Sequence, residues 1–189
     1  MPLAQPQPSM EYWRHKMANT YTLIESQVLG SSAASVTFSA IPATYTDLVL
    51  RVSSRTDAGT ANDNLQVTFN SDTATNYSMT RLTGTGSAVS SFNASAQTFA
   101  RVGWTDGNTA TASTFGNMEV YIPSYLVSQN KPFLSFAVSE QNATAANMDV
   151  IADLWSNTAA ITSLNIISNN SGNFVTDSSF YLYGISNTI

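Results

Sequence analysis

The side chains that carry catalysis in most hydrolases are scarce in this chain and poorly placed for it. Histidine occurs once, as His15, inside a proline-rich leading segment. A Ser-His-Asp arrangement would have to borrow its base from that segment, and a histidine-based zinc site fails for the same reason. Cysteine is absent, which removes thiolate nucleophiles, thiolate metal sites and disulfides. Two carboxylate pairs come closest to an acid/base site. Asp149 and Asp153 lie four residues apart in a strand-like run with Ile151 between them, so both point to one face, as two acids flanking a sugar would need to. A solvated strand face accounts for the same spacing. Asp106 and Glu119 would have to meet across a loop, which nothing in the sequence requires. Asp57, Asn62, Asp63 and Asn64 bracket a loop with oxygen ligands of the kind calcium takes, but their spacing departs from the EF-hand alternation. Asx residues also build turns by bonding their own backbone, and that is the favoured reading. No glycine-rich phosphate loop leads into a helix. The chain is expected to have no catalytic residues, no metal site and no cofactor.

Binding offers more. Trp104 opens a loop that holds Asp106 and Asn108, and an exposed aromatic beside such side chains can stack on a glycan and hydrogen-bond to it. The competing expectation is that Trp104 and Trp155 cap the ends of a core. A second candidate is the leading segment, MPLAQPQPSMEYWRHK. Pro2, Pro6 and Pro8 favour an extended, polyproline-like arm, which ends in the aromatic and basic residues Tyr12, Trp13, Arg14 and His15. An arm with no core of its own has nowhere to bury Tyr12 and Trp13, so these residues are expected to dock on a partner. A leader without structure, with translation also able to start at Met17, is the plain alternative.

The elements that must position these residues read as strands. From Thr20 onward no helix-length window shows a 3.6-residue period. Strands are expected near 20–29, 35–41, 47–55, 64–70, 77–83, 97–104, 115–122 and 133–140. Three more follow at the C-terminus, DVIADLWS, ITSLNIIS and SSFYLYGIS, separated by NTAA and NNSGN. Leu48, Leu50 and Val52 should face inward against Arg51 and Ser53 outward, and Leu65, Val67 and Phe69 inward against Gln66 and Thr68. The last three strands, dense in aromatic and β-branched residues, are expected to lie side by side as an inner sheet covered on both faces, with Gly184 admitting another backbone. Pro42 and Pro123 each follow an isoleucine that closes a strand. Long Gly/Ser/Thr/Asn/Asp connections at 56–63, 84–91, 105–114 and 141–147 point to a Greek-key or jelly-roll sandwich rather than a meander. The expected organisation is an extended N-terminal arm over residues 1–19 followed by an all-β, antiparallel, jelly-roll-like β-sandwich over 20–189.

Composition narrows the function classes. The 189 residues suit one sizeable core, and charged residues make up only 10% of them, their place taken by Ser, Thr and Asn. Net charge is −5, and Lys16 and Lys131 are the only lysines, so no basic stripe exists for nucleic acid. No apolar run approaches the ~20 residues of a membrane span, and no secretion signal is expected. Sheet edges on free-standing proteins are guarded by charges, lysine above all. Lys131 is the only lysine after residue 19, so the edges and weakly charged faces are expected to be covered by copies of the chain, as a homo-oligomer and most simply a trimer.

Three stretches carry a resemblance: MANTYTLIESQVLGSSAASVTFSAIPATYTDLVLRVSSRTD, FGNMEVYIPSY and LWSNTAAITSLNIISNNSGNFVTDSSFYLYGI. Over Met17 to Ile189 the chain resembles a group of tailed-phage virion proteins found especially in aquatic bacteriophages, cyanophages among them. These motifs are strand and turn patterns with no catalytic signature, and residues 1–16 fall outside the likeness. The resemblance implies a non-enzymatic particle component located on the virion. Its first form is a capsid decoration (cement) protein that binds the major capsid protein and stabilises the head, the arm serving as anchor. Its second is a head or tail fibre module that recognises host glycans through Trp104, Asp106 and Asn108. A single domain without heptads or repeats favours decoration.

Overall fold

The computed structural model describes residues 20–141 and 145–186. Among the described residues the regular elements are twelve strands: β1 (Tyr21–Val28), β2 (Ser35–Phe38), β3 (Asp47–Ser54), β4 (Asn62–Phe69), β5 (Tyr77–Gly84), β6 (Val89–Gln97), β7 (Ala100–Asp106), β8 (Gly116–Ile122), β9 (Lys131–Gln141), β10 (Ala145–Trp155), β11 (Leu164–Ser168) and β12 (Ser179–Ile185). They form two antiparallel sheets, one of eight strands in the order β1-β12-β3-β8-β9-β10-β5-β6 and one of four in the order β2-β11-β4-β7. The expected all-β sandwich is therefore present.

Alternation works as the sequence implies for the inward residues of β3 and β4, but Gln66, expected to face outward, is buried. Leu48, Leu50 and Val52 are buried while Arg51 is exposed, and Leu65, Val67 and Phe69 have no accessible surface. These residues meet Val120 and Ile122 of β8, Phe180 and Leu182 of β12 and Leu164 and Ile166 of β11 in one core between the sheets. At one end the core becomes aromatic. The rings of Phe69, Phe133, Tyr77 and Trp155 lie 5.3 to 6.4 Å apart. Trp155 donates its indole N–H to Asp72 at 2.8 Å, so the buried ring keeps its polar atom paired.

Two glycines are required by close approach. Gly103 in β7 has φ 133°, and a side chain there would overlap Ala137 of β9, so its absence lets the small sheet come down onto the large one. At Gly184 the sequence points to a neighbouring backbone, but the neighbour is the ring of Tyr45, which occupies the space a side chain would need.

Four further features differ from what the sequence implies. The C-terminal strands are not neighbours: β10 lies between β9 and β5, β12 between β1 and β3, and β11 belongs to the other sheet. Nor is β12 covered on both sides, because Tyr181 and Tyr183 project from the open face of the large sheet, leaving them only half-buried. Residues 89–97, read in part as a connection, form β6, whose side chains are almost all solvent-facing. Of the expected loop at 141–147, Gln141 and Ala145–Asn147 are strand, since β9 and β10 pair from Lys131–Trp155 up to Gln141–Ala145, and 142–144 lie outside the described residues.

Candidate contact surface

The acids that could have paired for catalysis are built into the interior. Asp149 and Asp153 do share a face of β10 with Ile151 between them, but that face looks into the sandwich, and all three are buried. Asp149 accepts from the Thr83 hydroxyl at 2.5 Å and lies 4.0 Å from Nε of Arg81. Asp153 accepts from Ser135 at 3.3 Å, and its second oxygen has no partner among the described residues. Burial pushes both carboxyls upward, Asp153 well above the usual range, which favours its neutral form. Asp106 is buried at the end of β7 and accepts the backbone N–H of Glu140 at 2.8 Å, whereas Glu119 points outward to Arg51 at 2.9 Å. Neither pair shares a cleft. Of two surface depressions of the described residues, one holds Glu119 as its one acid and the other is bordered by Asp153, whose carboxyl is buried.

Most oxygens of the loop considered for calcium bond within the fold, Asp63 Oδ1 being left without a partner among the described residues. Asp57 accepts from the backbone and side chain of Asn173 at 2.6 and 3.2 Å. Asp63 is buried and accepts from Thr56 at 2.8 Å and Ser168 at 2.6 Å. The backbone N–H of Gly107 donates to Ala61 at 2.9 Å, closing the same corner.

The glycan candidates do not converge on the surface. Trp104 is half-buried, with the Arg81 guanidinium 4.9 Å above its ring, and pairs along β7 with Asn64 of β4. Asp106 has no accessible surface, and Asn108 alone of the three is exposed. The arm residues Tyr12, Trp13, Arg14 and His15 lie outside the described residues.

What the structure does expose is one face of the eight-stranded sheet. On β9, Phe133, Ser135, Ala137 and Ser139 face inward while Leu134, Phe136 and Val138 face outward. β10 follows suit, with Asn147, Asp149, Ile151, Asp153 and Trp155 inward and Met148, Val150, Ala152 and Leu154 outward. The register is held by Phe133, Ile151 and Trp155, which must reach the core. Their parity then carries the acids inside and the aliphatic residues to the surface. Phe136 is 50% and Met148 57% exposed. A shallow groove of about 550 Å³ runs over this face between β12 and β10, lined by Tyr181, Tyr183, Arg51, Glu119, Phe136 and Met148 among others. Arg51 also lies 5.8 and 5.7 Å from the ring centroids of Tyr21 and Tyr183, so the cation rests among aromatic rings as well as beside Glu119.

This surface is hidden in the sequence when apolar residues are assigned inward by binary patterning. The signal was present in the run from Met148 to Trp155, where one parity carries Asp149, Asp153 and Trp155 and the other only aliphatic residues and alanine. Lysine, the usual guard, is missing from the described surface altogether. Lys131 is fully buried, its ammonium donating to the carbonyls of Val127 at 2.7 Å and Gln129 at 2.5 Å, and desolvation lowers its pKa.

Comparison with family models, with curated proteins and with solved structures finds no match to this chain.

Proposed function

We propose that this chain is a structural protein of a tailed-phage particle that works by contact rather than turnover, as a capsid decoration protein binding the major capsid protein and stabilising the head. The observation that carries the reading is the pairing of sequestered acids with an open, lysine-free apolar face. Of the carboxylates weighed for acid/base chemistry, Asp149, Asp153 and Asp106 are buried and each accepts an internal hydrogen bond, Glu119 is tied to Arg51 at the surface, and the apolar surface that needs covering lies outside. The resemblance of the strand and turn stretches from Met17 to Ile189 to aquatic-phage virion proteins supports the setting.

Strand order adds to this. Setting aside the hairpins β5-β6 and β9-β10 leaves β1-β12-β3-β8 facing β2-β11-β4-β7. We read these eight strands as a jelly roll, an architecture that recurs in viral capsid proteins, with both inserted hairpins added to the edge of one sheet. The arm at residues 1–19 is the proposed anchor on the shell, through Tyr12, Trp13, Arg14 and His15. Electron microscopy of the virion tests the reading. Density for the sandwich over the head surface is expected, and density confined to the tail, or none in the particle, would overturn it.

A further inference from the structure

We propose that the outer face of the eight-stranded sheet binds a second copy of the same chain, face to face, about a two-fold axis that runs along the strands between β3 and β8. The inference does not depend on where the protein acts, and it follows from how residues line up across the sheet. Strand registers place Ser26, Tyr181, Arg51, Glu119, Phe136 and Val150 in one row from β1 to β10. A two-fold axis between the third and fourth members exchanges them, then the second and fifth. Arg51 of each copy then sits over Glu119 of the other, and Tyr181 over Phe136.

The adjoining row obeys the same exchange. Val28, Ser179, Ser53, Asn117, Val138 and Met148 stand in register there. The axis brings Ser53 over Asn117, two groups able to hydrogen-bond, and Val28, 61% exposed, over Met148. Charge meets opposite charge at Arg51 and Glu119, Ser53 meets Asn117, and Tyr181 and Val28 meet Phe136 and Met148, while Ser26 over Val150 and Ser179 over Val138 set a small hydroxyl against an aliphatic side chain. Arg51 and Glu119 are the only charged side chains in these two rows, so no ion would be buried without its partner. An isologous contact requires self-complementarity, which four of these six pairs show.

Size agrees. Six strands about 4.8 Å apart, with about six residues rising roughly 3.3 Å each, give a face of about 600 Å² per copy and about 1,200 Å² for the pair, where specific interfaces begin. Two sheets packed this way form the same kind of layer as the interior of a sandwich. The inside-out pattern of β9 and β10 then has a reason, because both faces of these strands become interior in the pair.

Sedimentation equilibrium or light scattering on the full chain at micromolar concentration tests the proposal. A dimer is expected. Phe136→Glu should yield a monomer with unchanged far-ultraviolet circular dichroism. Glu119→Arg should raise the dimer dissociation constant roughly tenfold or more, and the exchange Arg51→Glu with Glu119→Arg should restore it. A monomeric or trimeric full chain would overturn the proposal, as would a dimer indifferent to both Phe136→Glu and Glu119→Arg. A monomer that dimerises only after removal of residues 1–16 would also overturn it, and would assign the face to the chain's own arm.

Discussion

Met148 and Asp149 are consecutive residues of β10, yet the methionine is 57% exposed and the aspartate is buried. A free-standing protein gains by the opposite arrangement, since burying a methionine is worth roughly 1.5–3 kcal/mol while burying a carboxylate costs energy unless it is bonded. The same inversion runs through β9, where Phe136 faces solvent and Ser135 the interior. The proposed second copy covering this sheet face would account for it.

Asp153 makes the inversion measurable by pH. Burial raises its pKa well above the ordinary 3.8, against a smaller opposing effect of the Ser135 hydroxyl. Between 3.8 and the raised value the folded chain therefore holds a proton that the unfolded chain has released. The resulting stability is fully present below the unfolded value and is lost as pH rises through the folded one. Asp153→Asn should melt at a higher temperature than the natural chain near pH 7, with the gap closing toward pH 4. Thermal denaturation followed by circular dichroism reads this directly, and a variant less stable at neutral pH would refute it.

Gly184 faces the ring of Tyr45, with no room for a methyl group. Gly184→Ala should destabilise the sandwich by about 1–3 kcal/mol, the usual cost of overpacking. Gly184→Ala combined with Tyr45→Ala should recover part of that loss in urea denaturation. Equal loss in single and double variants would mean that the contact is not the cause.

Lys131 is enclosed and its amine bonds two carbonyls. Mild acetylation of the folded protein should therefore leave Lys131 untouched, and acetylation in denaturant should label it, as mass spectrometry of peptides can resolve. Labelling at equal rates in both conditions would contradict the burial.

Trp104 shields Arg81 rather than presenting a free platform. Trp104→Ala is expected to lower stability by about 1–3 kcal/mol and to leave adsorption to host cells unchanged. Lost adsorption at unchanged stability would favour the fibre reading instead.

Much of the fold was legible wherever local pattern and burial agree. β3, with Leu48, Leu50 and Val52 opposite Arg51 and Ser53, announces its inner face by period two. β6 did not announce itself, because VSSFNASAQ has neither an apolar face nor a run of β-branched residues, and it is held as a strand by pairing with β5. That pairing includes a bulge opposite Tyr77 and Met79, with Ala96 at φ 52°, which no propensity signals. Sheet membership was illegible for a different reason. β10, β11 and β12 follow one another in the chain but separate in space, since strand partners are chosen by long-range packing. The contact face required knowing which parity of β10 looks inward, and that is decided by Trp155 joining Phe69 and Tyr77 rather than by the average polarity of the strand.

The most direct test of a contact function is sedimentation of purified heads with the full chain and, in parallel, with the chain lacking residues 1–16. Saturable, stoichiometric retention of the full chain on heads is expected, with loss of the truncated one and the truncated domain still folded. Equal retention of both would remove the arm as anchor, and retention of neither would contradict decoration itself.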